Sequence, residues 1–271
     1  MPRIHGISIL QNEEYYCALA IENAMALCDE LLILENNSTD RTREICMRMV
    51  NRHQGKVRME TLDDLNQSHE YCRRHAGTDA WVFGVDGDEI YDPIGLAALR
   101  VRIMRGDFAG FWRVRANYLH ACALWIGYDP RTRGMSPYAE GWLGPPSHQV
   151  SKLYNMAIID DWPMDQGRAI FQPKRKKWKK GHRDRRHDVF EQYAWAESYF
   201  RCLHLRFLPR TPGEEKEDLV ENPRHNMSVK IRDKAETTRA AYRQGDYVSC
   251  SVKSPLVKYD ALLQLGLVKE I

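Results

Sequence analysis

The chain has 271 residues, 43% of them hydrophobic and 28% charged, with a formal net charge of +3. This is an ordinary globular composition, enough for one large domain or one domain with an appendage. No run of about 18 apolar residues occurs, and Met1-Pro2-Arg3 leads into polar sequence without a signal-peptide core, so membrane spanning and secretion are disfavoured. Seven scattered cysteines without a C-x-x-C pair imply neither a disulfide framework nor a zinc ribbon, and the expected location is cytoplasmic.

Arg3 to Leu10 (RIHGISIL) reads as a strand, and Glu14 to Leu27 carries apolar residues at helical spacing. Glu30 to Leu34 (ELLIL) reads as a short buried strand. The turn and capping cluster Asn36-Asn37-Ser38-Thr39-Asp40 follows it and starts a helix reaching about His53. Lys56 to Glu60 is a third strand, Leu65 to Ala76 a third helix, and Ala80 to Val85 (AWVFGV) a fourth strand. Strands alternating with helices of this length predict a Rossmann-like α/β fold, a mostly parallel sheet flanked by helices, whose ligands bind beyond the carboxyl ends of the strands.

Three polar clusters fall at those ends: Gln11-Asn12-Glu13-Glu14, Glu35-Asn36-Asn37 and Asp86-Gly87-Asp88-Glu89. In the last, two carboxylates separated by one residue can hold a hard divalent cation and leave positions open for phosphate oxygens. Ile90 and Tyr91 exclude an EF-hand, and a plain Asp-Gly turn is the bland alternative. Glu35 can accept hydrogen bonds from a ribose or a base, a role that helix capping by its neighbours does not supply.

Together these stretches resemble the family 2 glycosyltransferases of the GT-A fold over about residues 1–120. The resemblance is carried by Ile9-Leu10-Gln11-Asn12-Glu13-Glu14, by Asp29 to Thr42 (DELLILENNSTDRT) and by Trp81 to Glu89 (WVFGVDGDE), in that order. Glu35 stands where Asp is usual. The resemblance implies a metal-dependent transferase that moves a sugar from a nucleotide-diphosphate sugar, a UDP-sugar, to an acceptor hydroxyl with inversion. Asn12, Glu14, Glu35, Asp64 and Asp86 would bind the donor. Asp86, Asp88 and the late His204 would hold Mn²⁺ or Mg²⁺, with imidazole beside carboxylates suiting Mn²⁺ better than Ca²⁺. The acceptor's proton would go to an acid 70 to 110 residues beyond the metal motif; Asp188, after His187, is the first choice and Asp161 the second.

Beyond Phe108 the pattern changes. Phe111 to Tyr118 and Gln149 to Tyr154 alternate like half-buried strands, flanking an aromatic, Gly/Pro-rich stretch that includes Trp125, Tyr128, Tyr138 and Trp142. That stretch is either an acceptor platform or ordinary core. Between Lys174 and His187 stand nine Lys or Arg against one acid, a local charge of +8 that leaves −5 for the remainder. This basic loop, 173–187, is a solvated loop, a lid over the diphosphate, or a contact for an anionic acceptor such as a glycan, a lipid phosphate or nucleic acid. Val189 to Ala196 reads as a helix and the run before His204 as a strand. The expected division is a GT-A catalytic domain over 1–210, its halves meeting near residue 105, and a helical C-terminal extension over 211–271. Two rival functions remain: a polyanion-binding protein on a non-catalytic GT-A fold, and a nucleotidyltransferase, which would ordinarily carry a Gly-rich phosphate loop where Gln11 to Glu14 stand.

Overall fold

The computed structural model describes residues 1–125, 140–143, 148–162, 177–178, 198–205 and 210–211. The expected helix at Val189 to Ala196, most of the basic loop and the C-terminal extension beyond residue 211 lie outside them. Strands β1 (Arg3–Leu10), β2 (Glu30–Glu35), β3 (Val57–Thr61) and β4 (Ala80–Asp86) alternate with helices α1 (Cys17–Ala24), α2 (Thr42–Arg52) and α3 (Ser68–Arg73). Next come β5 (Glu89–Tyr91), α4 (Pro93–Met104), β6 (Arg113–Trp125), β7 (Glu140–Leu143), β8 (His148–Asn155), β9 (Ile159–Asp161), β10 (Lys177–Trp178) and β11 (Arg201–His204).

The main sheet has the order β3-β2-β1-β4-β8-β6-β11-β5, with β7 added to β6. Its first four strands are parallel, as the alternation of elements predicts. The second half is mixed: β8 runs antiparallel to β4 and β6, β11 runs parallel to β6, and β5 runs antiparallel to β11. The result is an α/β sheet flanked by helices.

Alternation along the strands divides the core between the two faces of the sheet. Ile4 and Leu10 of β1, Leu31 and Ile33 of β2, and Trp81, Phe83 and Val85 of β4 pack with α1, α2 and α4. Ile7, Leu32, Leu34 and Val82 face the other way, against Cys72 of α3 and an aromatic group of Trp112, Tyr154 and Trp162. Cys17, Cys28, Cys46, Cys72 and Cys202 are buried in these cores. Among the described residues no helix is long and apolar enough to cross a membrane.

The third helical stretch is shorter than its apolar spacing predicts. A 3-10 turn at Leu65–Gln67 precedes α3, and Asp64 caps it by accepting from Asn66 N at 2.9 Å. Helix α4 begins on a strong local signal, Asp92 accepting from Ile94 N at 3.0 Å with Pro93 in the first turn.

Candidate functional site

The parallel strands β2, β1 and β4 end side by side, Leu10 in register with Glu35 and Ile9 with Asp86. Their loops form one rim. Asn12 and Asn37 sit at φ of 52° and 50°, left-handed conformations that asparagine tolerates better than most residues. The first two loops are stitched together. Thr39 N donates to Asn12 Oδ1 (2.7 Å), Asn12 N to Ser38 Oγ (3.0 Å), Glu13 N to Thr42 Oγ1 (2.7 Å) and Arg41 N to Glu14 Oε2 (3.0 Å). Glu35 is fully buried; its Oε1 accepts from Ser38 N at 2.6 Å and its Oε2 lies 3.4 Å from Arg43.

Asn12, Glu14 and Glu35 are thus brought together, and in the free protein their side chains fix the floor of the rim. Asp64 lies apart from this network, exposed on its own turn.

The third loop closes over the first. A Cβ on Gly87 would come within 2.8 Å of Glu13 Cγ and of Leu10 Cδ2, so glycine is required there for close approach. Asp88 is buried, at 4% exposure, and its backbone O accepts from Leu205 N at 2.8 Å, which ties the loop to the end of β11. Pairing of β11 with β5 sets His204 opposite Glu89 and brings its Nε2 to 3.4 Å from Asp88 Oδ2. Asp88 and His204, far apart in the chain, thus meet at the rim.

Four residues that the motif reading does not single out complete the cluster. Arg210 lies 2.7 Å from Glu13 Oε1 and 3.1 Å from Asp88 Oδ2. Lys152 of β8 lies 2.5 Å from Asp86 Oδ2 and 3.1 Å from Glu89 Oε1. Glu89 is clamped further by hydroxyl donors, Tyr118 at 2.5 Å and Tyr91 at 2.9 Å, and burial raises its pKa above the usual carboxylate range against the opposing pull of Lys152. Glu13 and Glu89 adjoin named motif residues and a lysine within the alternating run QVSKLY is unusual, but no local signal marks Arg210.

Burial also pushes Glu13 up to about 8; the guanidinium of Arg210 opposes the shift and the charge of Asp88 adds to it. A carboxyl that binds its proton more tightly in the folded state makes stability fall as pH rises. The contribution of Glu13 to the unfolding free energy is therefore expected to decline between pH 4.5 and about 8, by on the order of a few kcal/mol, with little further change at higher pH. Glu13→Gln should flatten that slope in urea titrations across the range.

Asp188 and Asp161 are the two candidate proton acceptors. Asp188 lies outside the described residues. Asp161 closes β9 and lies 3.2 Å from Arg73 of α3.

Among the described residues no group of three His, Cys, Asp or Glu side chains is gathered closely enough to hold a metal by itself. The donor set nevertheless fits a divalent cation that completes its shell with ligand oxygens. One ion with bonds of about 2.1 Å could take both Asp88 Oδ2 and His204 Nε2 at their separation of 3.4 Å. Glu13 Oε2, buried and without a hydrogen-bond partner among the described residues, belongs to the carboxyl group that shares Arg210 with Asp88.

No protein-family model matches the chain, and no curated protein sequence matches it. Among solved structures, it is similar to glucosyl-3-phosphoglycerate synthase from Mycobacterium tuberculosis, in complex with Mn²⁺, UDP and glucosyl-3-phosphoglycerate. That match has 20% identity over 43% of this chain and 44% of the other, with a TM-score of 0.34. It is also similar to residues 1–349 of S. aureus TarS in complex with UDP, at 16% identity over 57% of this chain and 47% of the other, with a TM-score of 0.34. The chain thus spans less than half the length of each of these structures.

Proposed function

We propose that the chain is a metal-dependent glycosyltransferase that binds a nucleotide-diphosphate sugar, a UDP-sugar, across the β1, β2 and β4 rim. Its sugar passes to an acceptor hydroxyl with inversion. The observation that carries this reading is the meeting of Asp88 with His204 at the rim, 3.4 Å apart and beside Asp86. A glycan, a lipid phosphate or nucleic acid would serve as an anionic acceptor reached by the basic loop.

Asp88 and His204 would hold Mn²⁺ or Mg²⁺, which when bound neutralises the diphosphate as the sugar–oxygen bond breaks. The remaining work belongs to the chain. Asn12 and Glu14 position the loop that faces the nucleobase, and Glu35 holds the β2 loop in register with it. Asp86, 43% exposed at its side chain, is open to a ribose hydroxyl. Arg210 and Lys152 supply fixed positive charge that lets four carboxylates share one rim. Asp64 would approach the donor only from the margin. Asp188 is proposed as the base that removes the acceptor's proton; an Asp188→Asn enzyme with near-normal turnover would rule it out.

A thermal-shift screen of UDP-, GDP- and TDP-sugars with and without Mn²⁺ tests the donor reading. UDP-sugars should stabilise the protein only with the metal, by about 2.7 kcal/mol at a ligand concentration of about 100 Kd. No metal-dependent stabilisation by any nucleotide diphosphate would overturn it.

A further inference from the structure

Each acid of Asp86-Gly87-Asp88 has its own buried cation, and each cation is shared with a second acidic side chain. Arg210 reaches Asp88 Oδ2 at 3.1 Å, a distance that leaves His204 Nε2 on the same oxygen. Lys152 holds Asp86 Oδ2 at 2.5 Å from a side chain only 6% exposed. Its ammonium is anchored from behind by Glu89, itself immobilised by the hydroxyls of Tyr118 and Tyr91 in the aromatic core. A buried ammonium does not give up a carboxylate partner easily, because the unpaired charge would stay desolvated. The pair is therefore a fixed part of the rim, and Asp86 is turned toward Lys152.

We propose that Lys152 is a positioning residue: it holds Asp86 out of the metal's coordination shell and so sets how tightly the nucleotide-free protein binds a divalent cation. Asp88 and His204 are then the protein's ligands, while the outward face of Asp86 is kept for the donor. With two protein ligands and a fixed positive charge close by, the ion binds weakly until diphosphate oxygens join it. Metal and donor thereby enter together. This inference rests on Asp88 and His204 as metal ligands and does not require that sugar transfer be the reaction.

The test is Mn²⁺ alone, with free ion followed by electron paramagnetic resonance in nucleotide-free protein. Lys152→Met should bind Mn²⁺ about tenfold more tightly, because a repelling charge is removed and Asp86 is released to the ion. The charge-balanced double variant Asp86→Asn/Lys152→Met should stay within about threefold of wild type, and Asp88→Asn should weaken binding by about thirtyfold or more. An unchanged Kd in Lys152→Met, or a double variant as weak as Asp88→Asn, would overturn the proposal and leave Lys152 as a counter-ion for Glu89. Should Lys152→Met fail to fold by circular dichroism, the double variant, which removes a cation and an anion together, decides alone. Failure of the donor reading is separately visible: wild type that takes up Mn²⁺ as described but binds no UDP would reject the donor and leave these Kd values standing.

Discussion

Asp88→Asn is expected to abolish Mn²⁺-dependent stabilisation by UDP-sugars and to lower turnover by at least about 100-fold. The substitution keeps the shape of the side chain and the backbone bond from Leu205 N, so the loop stays tied to β11. What it removes is the anion. Arg210, 3.1 Å away, keeps Glu13 as an acidic partner but loses Asp88, and His204 loses the carboxylate with which it would share an ion. Circular dichroism and a urea titration beside the activity assay separate loss of the site from loss of the fold. A variant that kept metal-dependent stabilisation would move the metal away from Asp88 and with it the proposed chemistry.

The parts of this architecture written in local pattern are readable in the sequence alone. β1, β2 and β4 are short apolar runs ending in polar clusters, and their boundaries fall within one or two residues of the expected ones. The rim follows from those ends, because parallel strands place their carboxyl termini at one edge. Helix α4 opens on a helix-start signal, Asp92 before Pro93, but the reading of the sequence places no element there. Strand β5 is only three residues long and exists because β11 pairs with it, a long-range event without local trace.

Asp88, Asp86 and His204 were visible as residue types that suit a metal. Their cationic partners were not. Lys152 reaches Asp86 through the antiparallel register of β8 on β4, and Arg210 reaches Glu13 from the far end of the described chain, so both contacts come from tertiary pairing. A motif names the charges that attract a ligand. It is silent on the charges that let those acids coexist in its absence.

That coexistence leads to the second large effect. Arg210→Leu is expected to cost about 3–5 kcal/mol of stability near neutral pH, the range for removing one partner of a buried ion pair. Glu13 and Asp88, 6% and 4% exposed, would share a desolvated space with no guanidinium between them, and Glu13 Oε2 already lacks a partner among the described residues. Proton uptake is the available relief. With Arg210 present the Glu13 carboxyl is already raised to about 8, and the guanidinium is what opposes the rise, so its loss moves that pKa higher still. The sign follows: a folded-state pKa above the unfolded value stabilises at low pH and ceases to do so as pH rises through it. Arg210→Leu should therefore be least destabilised near pH 6 and most near pH 9, whereas Arg210→Leu/Glu13→Gln should be nearly level across that interval. Equilibrium unfolding at the two pH values reads the difference directly. An equal loss at both would mean that Arg210 acts through the packing of its side chain, and that the charge it places between the two loops is not what holds the rim together.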